Sequence, residues 1–452
     1  MKDKKIVVLL KFFKGELNPF DGAALECALS LNAKEVIALA MAPISALDAM
    51  KNITRLGVKC VLISDSAYAG SDTQATSFIL SKALERLRAD VIFCGRQSVD
   101  GDTAQVPPMI AERLGYDIFA KVTDVKDNAF LLRDGSLVQI NAKTVYTFEK
   151  IATLRFPSMF SRAKEVEIWN QNTLQIPLDK CGLVGSTTRV IKSYESKVGR
   201  RFCHFVSRDK LDVLIKEGLK KVNQTKIKYS GEKLSEIYFV GDVKSVAESV
   251  GEKAIELSVE GKTAEQIANE LKEKKVRAVL WEDNEEYKLL APKIAVLTEA
   301  GICADCISFR VENGELIMTR PAFGGNVTAD IVCTGKIAFA TVRTSKKCGS
   351  DVIFSIGKGA IHKIDDIKSL AKEYSAEVCA SRIVVDSGKM PYETQVGLTG
   401  RTVSPKVYVA FGIAGAVQHT CAIAGAGTVI AINNDKNARI FDYADYGILE
   451  DV

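Results

Sequence analysis

What this 452-residue sequence has little of narrows its class before any motif is read. Proline is scarce, at 10 residues, while 47% of the chain is hydrophobic, so neither a fibrous nor a disordered protein is expected. An excess of one charge is also missing. The 61 basic and 56 acidic residues leave a formal +5 with no long block of one sign, and nothing in that balance demands nucleic acid or a membrane surface. Histidine is rarer still, at three residues, and neither His204 nor His362 has a serine or cysteine partner pattern around it, so hydrolase chemistry finds no support. The one CxxC, Cys303 to Cys306, lacks a second pair and a nearby histidine, which argues against a metal site and a redox disulfide.

Long uninterrupted apolar runs are absent as well. The opening MKDKKIVVLLKFF is broken at Lys11 and no small-residue cleavage site follows, so it reads as a first strand and not a signal peptide. Between Val407 and Ile432, Gly412, Gly415, Gly425, Gly427 and the pair Gln418-His419 divide the apolar stretch into strand, glycine turn, short helix and strand. Eleven cysteines without a secretory signal fit free, mostly buried thiols in a reducing cytoplasm.

What is present is a rhythm. IVVLL, ALECALSL, EVIALAMA, ISALDAMKNITRLG and KCVLISD alternate as strand and helix, the pattern of a parallel sheet in an α/β fold of Rossmann-like, doubly wound type. A helix over 73–88 leads to the strand ADVIFCG, and turn signals follow at Asp127-Asn128 and Asp134-Gly135. A second α/β unit opens near Ile237 and includes a hairpin turning at Asn313-Gly314. The stretches 111–139 and 296–320 share one order of elements, a helix end with Gly, a strand, a turn and a return strand, which reads as a degenerate internal duplication. The expected division is 1–185, a basic linker and packing arm over 186–233, a second nucleotide-type domain over 234–345, and a third unit over 346–452.

Two glycine-bearing loops carry the candidate chemistry. After ADVIFCG come Gly95, Arg96, Gln97, Ser98, Val99, Asp100, Gly101, Asp102, Thr103, Ala104 and Gln105, placed where a sheet presents helix N–H groups to phosphate. Asp102 and Gln105 have capping-box spacing, and Pro107 and Pro108 leave the helix's first turn unplaced. A merely capped turn stands as the alternative. The second unit has WEDNEEYKLLAP at the equivalent place, without a Gly- or Thr-rich loop, so only the first copy is expected to hold a nucleotide. In the third unit, Ser381-Arg382 follows a short strand, and Gly412 and Gly415 let backbone approach a ligand before the helix that carries His419. A lone histidine in such a run is more often a core residue satisfied by one hydrogen bond than a functional group, although the surrounding Gly, Arg and Ser favour a cofactor pocket.

These residues resemble the electron-transfer flavoproteins, usually built from separate beta and alpha subunits, and the resemblance covers nearly the whole chain. The first 180 or so residues are similar to the beta subunit in Asn18-Pro19-Phe20-Asp21, DSAYAGSDTQAT and GRQSVDGDTAQV. From about 235 onward the chain is similar to the alpha subunit in TRPAFGGN, ATVR, ASRIVVDSG, QVGLTG, GIAGAVQH, AIN and ADYG. The resemblance implies a single-chain fusion of the two subunits that carries electrons through noncovalent FAD between a dehydrogenase, such as one of acyl-CoA type, and a redox partner.

The same resemblance implies where the cofactors lie. Ser381 and Arg382 would face the flavin ring. Gln395, Val396, Gly397, Leu398 and Thr399, with Ala414, Gly415, Ala416, Val417, Gln418 and His419, would line ring, ribityl and pyrophosphate, and Asn433 and Asp451 would hold the adenosine end. Arg382 and His419 suit this chemically, since positive charge or a donor near the N1–O2 edge stabilises a one-electron-reduced flavin. Lys358, Leu398 and Ala414 stand where the family usually has Arg, Gln and Ser. For the first site, Leu9, Asn18, Asp21 and Met41 would join Gly95, Gln97, Val99, Asp100, Gly101, Asp102, Thr103, Ala104, Gln105 and Val106 around AMP or a second FAD, the latter exchanging electrons with NADH. GRQSVDGDTAQV and AGSDT are more similar to the second kind. Met159 and Phe160 occupy the place of the family's partner-recognition loop, internal packing being their alternative. A rival reading is a nonredox adenine-nucleotide-binding or sensing protein on the same scaffold.

Overall fold

The structure is a computed structural model; it describes all residues except 1–2, 32, 127–128, 196–199, 221–227, 323–326, 344–349 and 398–399. The turn expected at Asp127-Asn128, part of TRPAFGGN, and Leu398-Thr399 therefore lie outside the described residues. The chain divides into one unit of residues 1–192, 229–320 and 329–343 and another of 193–228, 321–328 and 344–452.

In the first unit the apolar runs form parallel strands β1 (Lys5–Leu10), β2 (Glu35–Met41), β3 (Lys59–Ile63), β4 (Val91–Gly95), β5 (Asp117–Lys126) and β6 (Thr144–Phe148). Their spatial order is β3-β2-β1-β4-β6-β5. Val7, Val8, Ile92 and Phe93 are wholly buried because helices cover both faces, which is why these strands read as continuous hydrophobic runs without alternation. The strand order reverses between β1 and β4, the point at which open α/β sheets part their loops and admit ligands.

A second sheet in the same unit holds β7 (Leu234–Val240), β8 (Gly251–Glu256), β9 (Ala278–Glu282), β10 (Gly301–Cys306) and β11 (Ala338–Val342), ordered β8-β7-β9-β11-β10. Without β3, the first sheet has this same order, so the duplication read from sequence is a duplication of topology. It extends to detail. The β6–β5 and β11–β10 pairs each shift register once, between Tyr146 and Phe148 in the first and between Cys303 and Cys306 in the second. At the shift Lys121 (φ 65°) and Asp305 (φ 60°) take the left-handed conformation. Lys121 donates its N–H to Thr147 Oγ1 at 2.9 Å, and Asp305 its own to Thr341 Oγ1 at 2.8 Å. The CxxC thus lies at the bulge; both thiols are free and buried, and Cys306 Sγ bonds the Cys303 carbonyl. One expected correspondence is offset. Gly115 (φ 63°) closes the first copy's helix, whereas Glu299 (φ 54°), not Gly301, closes the second. The hairpin at Asn313-Gly314 forms as read, with Glu312 opposite Glu315.

In the other unit, β12 (Val352–Ile356), β13 (Glu377–Ala380), β14 (Val407–Phe411), β15 (Thr428–Ile432) and β16 (Tyr446–Ile448) lie in the order β16-β15-β14-β12-β13. This is again doubly wound, with the reversal between β12 and β14. The segment read as linker and packing arm is built into the sheets. Thr188–Glu195 edges the sheet that contains the Asn313 hairpin, His204–Phe205 pairs with β16, and the helix Leu211–Lys220 buries Leu214 and Ile215 against the core of β12, β14 and β15. Gly218 in that helix lets it close on the sheet, since a Cβ there would stand 2.6 Å from Val407.

Candidate functional site

The first reversal point opens into a cavity of about 990 Å³ at the carboxyl ends of β1 to β4. Its lining includes Leu9, Lys11, Asn18, Asp21 and Met41 from the first strands and helix, and Gly95, Gln97, Gly101 and Thr103 to Val106 from the loop after β4. Val99, Asp100 and Asp102 are not in it. Asp100 turns to Lys11 Nζ at 2.9 Å, and Asp102 (φ 52°) accepts from Gln97 Nε2 at 3.1 Å. The capping box read from spacing does not form. The helix Val106–Leu114 begins after Gln105 without a side-chain cap, and Pro107 and Pro108 fall in its first turn, where their missing N–H groups are orphans in any case. The far wall comes from the loop after β3, Asp65 to Thr73, which the sequence offered only as a resemblance motif.

Asp21 organises the reversal point. Its carboxylate takes the N–H of Lys11 and that of Gly95, each at 2.8 Å, so the loops after β1 and β4 are tied to one side chain. Burial pushes its pKa up to about 7, against the pull of those N–H groups and of Lys11. Beside it Asn18 donates to the Gln97 carbonyl at 2.9 Å. Asn18 Oδ1 and Gln105 Nε2 are buried on this wall without a partner, an acceptor and a donor suited to a polar ligand. Arg96 lies over the Phe20 ring, 5.4 Å from its centroid, and 3.1 Å from Glu149, so its charge is paired within the protein.

In the second unit the expected cofactor residues gather along one edge of the sheet, each following a strand's carboxyl end. Lys358 follows β12, Ser381 and Arg382 follow β13, Ala414 to His419 follow β14, Asn433 follows β15 and Asp451 follows β16. Gln395, Val396 and Gly397 come alongside through a bridge from Ala380 to Gln395. At the reversal point two loops meet backbone to backbone. A Cβ on Gly357 would stand 2.3 Å from the Gly412 carbonyl oxygen, and one on Gly412 (φ 60°) 2.5 Å from Ala360 N. Lys358, Ala414, Ala416 and Gln418 are exposed on this edge. Arg382 is partly open and pairs with Asp386 at 3.2 Å on its own helix.

Three of these residues have contacts within the chain that bear on their expected roles. Asn433 is buried and committed, its Nδ2 donating to the Ile413 carbonyl and its Oδ1 accepting from Asp435 N, each at 2.9 Å. It shapes the glycine loop from beneath. Asp451 is exposed, and its carbonyl accepts from Arg208. His419 is buried with Nε2 2.8 Å from Tyr408 Oη, and burial pushes its pKa down to about 4. It carries no positive charge near pH 7, which leaves the donor role alone. A histidine held neutral by the fold contributes stability that is complete above its unfolded pKa of 6.5 and is lost as pH falls toward 4. Over that window the loss should reach about 3 kcal/mol. The urea midpoint of His419→Gln should fall less between pH 7 and pH 4 than that of the parent chain. Taking the difference between the two cancels Asp21, whose raised pKa works in the opposite direction.

Two doubly wound sheets with polar groups at their reversal points, one forming a cavity and one an open edge, have the architecture in which α/β proteins receive nucleotide-type cofactors. The electron transfer flavoprotein domain matches residues 7–147 and 249–347, and the electron transfer flavoprotein FAD-binding domain matches 348–424. The chain belongs to the electron transfer flavoprotein family. It is 34% identical over 235 residues to electron transfer flavoprotein subunit alpha of Thermoanaerobacterium thermosaccharolyticum, covering 42% of this chain and 71% of that protein. To subunit beta of the same organism it is 33% identical over 192 residues, covering 39% and 74%. The acryloyl-CoA reductase electron transfer subunit beta of Anaerotignum propionicum is 31% identical over 237 residues, covering 36% and 65%. Among the described residues no helix is long and apolar enough to cross a membrane, and no cluster of His, Cys, Asp and Glu is fit to hold a metal.

Proposed function

We propose that this chain carries electrons between a dehydrogenase or reductase and a redox partner, holding one FAD on the carboxyl edge of the β12–β16 sheet and a second in the N-terminal cavity, where NADH can reduce it. The observation that carries the second flavin is size. AMP has fewer than half the heavy atoms of FAD and would leave most of a cavity of about 990 Å³ unfilled. The orphaned Asn18 Oδ1 and Gln105 Nε2 fit a polar dinucleotide, and since Pro107 and Pro108 have no N–H, a phosphate there is met by the amides up to Val106. When bound, FAD supplies reversible one- and two-electron chemistry at its isoalloxazine ring. The protein's part at the second edge is Lys358 and Arg382 as positive charge, His419 as a neutral donor, and the Gly412 to Ala416 loop as a close backbone surface.

Extraction of the bound nucleotides tests this. Two flavins per chain, bleached on addition of NADH, are expected. One FAD with one AMP and no reaction with NADH would remove the second flavin and leave a simple carrier.

The partner surface has its own support. Phe156, Met159 and Phe160 are 93%, 92% and 94% exposed, so internal packing does not explain them. Arg55 holds the loop by donating to the Ser158 and Ser161 carbonyls, and Arg155 pairs with Glu26 at 2.6 Å. Acyl-CoA-type dehydrogenases are the class we assign to this surface, in keeping with the acryloyl-CoA reductase named for one relative. Changing Met159 and Phe160 together to Ser should slow electron exchange with such a partner by tenfold or more, about 1.4 kcal/mol for two buried apolar anchors, with flavin content unchanged. Unaltered exchange kinetics would place the contact elsewhere.

A further inference from the structure

Met159 and Phe160, the exposed apolar pair of the partner loop, sit at the corner of a built turn. The Ser158 carbonyl accepts the Ser161 N–H at 3.0 Å, which makes 158–161 a β-turn with Met159 and Phe160 at its two central positions. Each flanking serine closes the turn again with its side chain. Ser161 Oγ donates to the Ser158 carbonyl at 2.7 Å, and Ser158 Oγ accepts the Phe160 N–H at 3.3 Å. The backbone of the corner is hydrogen-bonded to itself while both central side chains stand clear of the protein.

A four-residue turn outside any helix or sheet recovers little of the conformational entropy lost in ordering it, so it needs support from elsewhere. That support comes from the carboxyl end of the helix Leu47–Thr54. Arg55 Nε donates to the Ser161 carbonyl at 3.2 Å and its Nη2 to the Ser158 carbonyl at 3.4 Å, so one guanidinium bridges the first and last residues of the turn. The direction of both bonds is fixed, since a guanidinium only donates and a carbonyl only accepts. Beside it the buried Thr54 accepts the Lys164 N–H at 2.8 Å and donates to the Lys51 carbonyl at 2.6 Å, which anchors the chain as it leaves the turn.

We propose that Arg55 is a positioning residue for partner docking: it holds the 158–161 turn in one shape, so that Met159 and Phe160 are presented together as a preformed knob for an apolar pocket on an electron-donating dehydrogenase of acyl-CoA type. This rests on the reading that the partner docks at Met159 and Phe160. A loop that must be ordered at the moment of association gives up part of its binding energy, and a turn ordered beforehand keeps it. A planar fork is what spans two carbonyls; the single ammonium of a lysine does not reproduce it.

The probe is an acyl-CoA dehydrogenase reduced with butyryl-CoA, and the signal is the rate at which it reduces the flavin of the full chain. Arg55→Ala should slow this exchange about fivefold with flavin content unchanged, and Arg55→Lys should recover part of the loss. Added to the Met159→Ser, Phe160→Ser double variant, Arg55→Ala should cost nothing further, because there is no longer a knob to hold. A full additional loss in that background would mean that Arg55 meets the partner itself or acts elsewhere, and would overturn the role. Chymotrypsin, which cuts after aromatic residues in chain that can unfold locally, supplies a measure that needs no partner. Cleavage after Phe160, read by mass, should be about fivefold faster in Arg55→Ala than in the parent chain, and equal rates would overturn the clamp. Faster cleavage in Arg55→Ala together with undiminished exchange in the Met159→Ser, Phe160→Ser variant would overturn the docking reading, and the role with it, while leaving the clamp on the turn in place.

Discussion

Gly415→Ala should release FAD from the chain while leaving the N-terminal nucleotide bound. Gly415 adopts φ 85°, and a Cβ added there would stand 2.1 Å from Ile440 N, 2.5 Å from the Arg439 carbonyl carbon and 2.6 Å from Ile440 Cα. All three are backbone atoms, so no side chain can rotate away. The neighbouring Ala414 carbonyl accepts the Ile440 N–H at 3.2 Å, and that bond must stretch or break for the loop to lift. Left-handed strain of about 1–3 kcal/mol and overpacking of about 1–3 kcal/mol add on one loop. Because this loop forms the reversal point between β12 and β14, the displacement acts where backbone must approach the cofactor. Gly388→Ala is the control. It shares a left-handed φ of 72° but has nothing within 4 Å, so it pays conformational strain alone. After gel filtration, Gly388→Ala should keep its C-terminal flavin and Gly415→Ala should not. Equal flavin content in the two would show that the Gly415 loop does not bear on the site.

The contrast between these glycines shows what sequence can and cannot disclose here. Gly412 and Gly415 were read as points where backbone approaches a ligand, because they follow an apolar strand and precede a helix; the structure shows them also closing on other backbone. That the approach is to the 357–360 and 439–440 backbones depends on pairing across the sheet, which local pattern does not encode. The same limit explains the loop after β4. Asp102 and Gln105 have the spacing of a capping box, but Asp102 lies in left-handed backbone and its carboxylate is drawn to Gln97, five residues back. Spacing cannot see a backbone reversal of that kind. His419 was read both as a core residue held by one hydrogen bond and as a cofactor-pocket residue; its partner Tyr408, eleven residues earlier on the strand, was not legible, because a tyrosine in VYVAF reads simply as a strand former. The duplication was visible as an order of elements, whereas its strongest mark, a bulge shared by Lys121 and Asp305 and fastened by Thr147 and Thr341, involves residues with no identity in common at the bulge itself. The segment WEDNEEYKLLAP, read as lacking a Gly- or Thr-rich loop, is organised by its own side chains. There Asn284 caps the helix by accepting Tyr287 N–H at 2.8 Å, and Lys288 pairs with Asp283 at 3.0 Å, so the second copy closes with its own side chains what the first leaves open.

Gly95→Ala should empty the N-terminal cavity and leave the C-terminal flavin in place. Gly95 ends β4 at the first reversal point, and its need for glycine is steric. A Cβ there would lie 2.4 Å from Asp21 Oδ1, 2.5 Å from Phe20 Cβ and 2.9 Å from Asp21 N. Asp21 cannot retreat cheaply, because its carboxylate is held by the Lys11 and Gly95 N–H groups, and Phe20 packs under Arg96. Pushing the helix start away breaks both N–H bonds and leaves the buried Gly95 donor unsatisfied, at about 1–3 kcal/mol, in addition to the overpacking itself. The walls of the cavity separate at the point where Asn18 and the 95–98 segment face one another across Asn18 Nδ2 and the Gln97 carbonyl. Gly101→Ala, in the same loop, meets only Ser98 Oγ at 3.2 Å, which can turn aside, so it should retain nucleotide close to the parental level. The measurement is the nucleotide released per chain on denaturation, separated into flavin and adenine species. Gly95→Ala should lose one equivalent, the NADH-reducible one if the cavity holds FAD, and keep the other. Loss of both equivalents would mean that the first unit is needed for the second to hold its cofactor, and retention of both would place the N-terminal nucleotide away from the reversal point between β1 and β4.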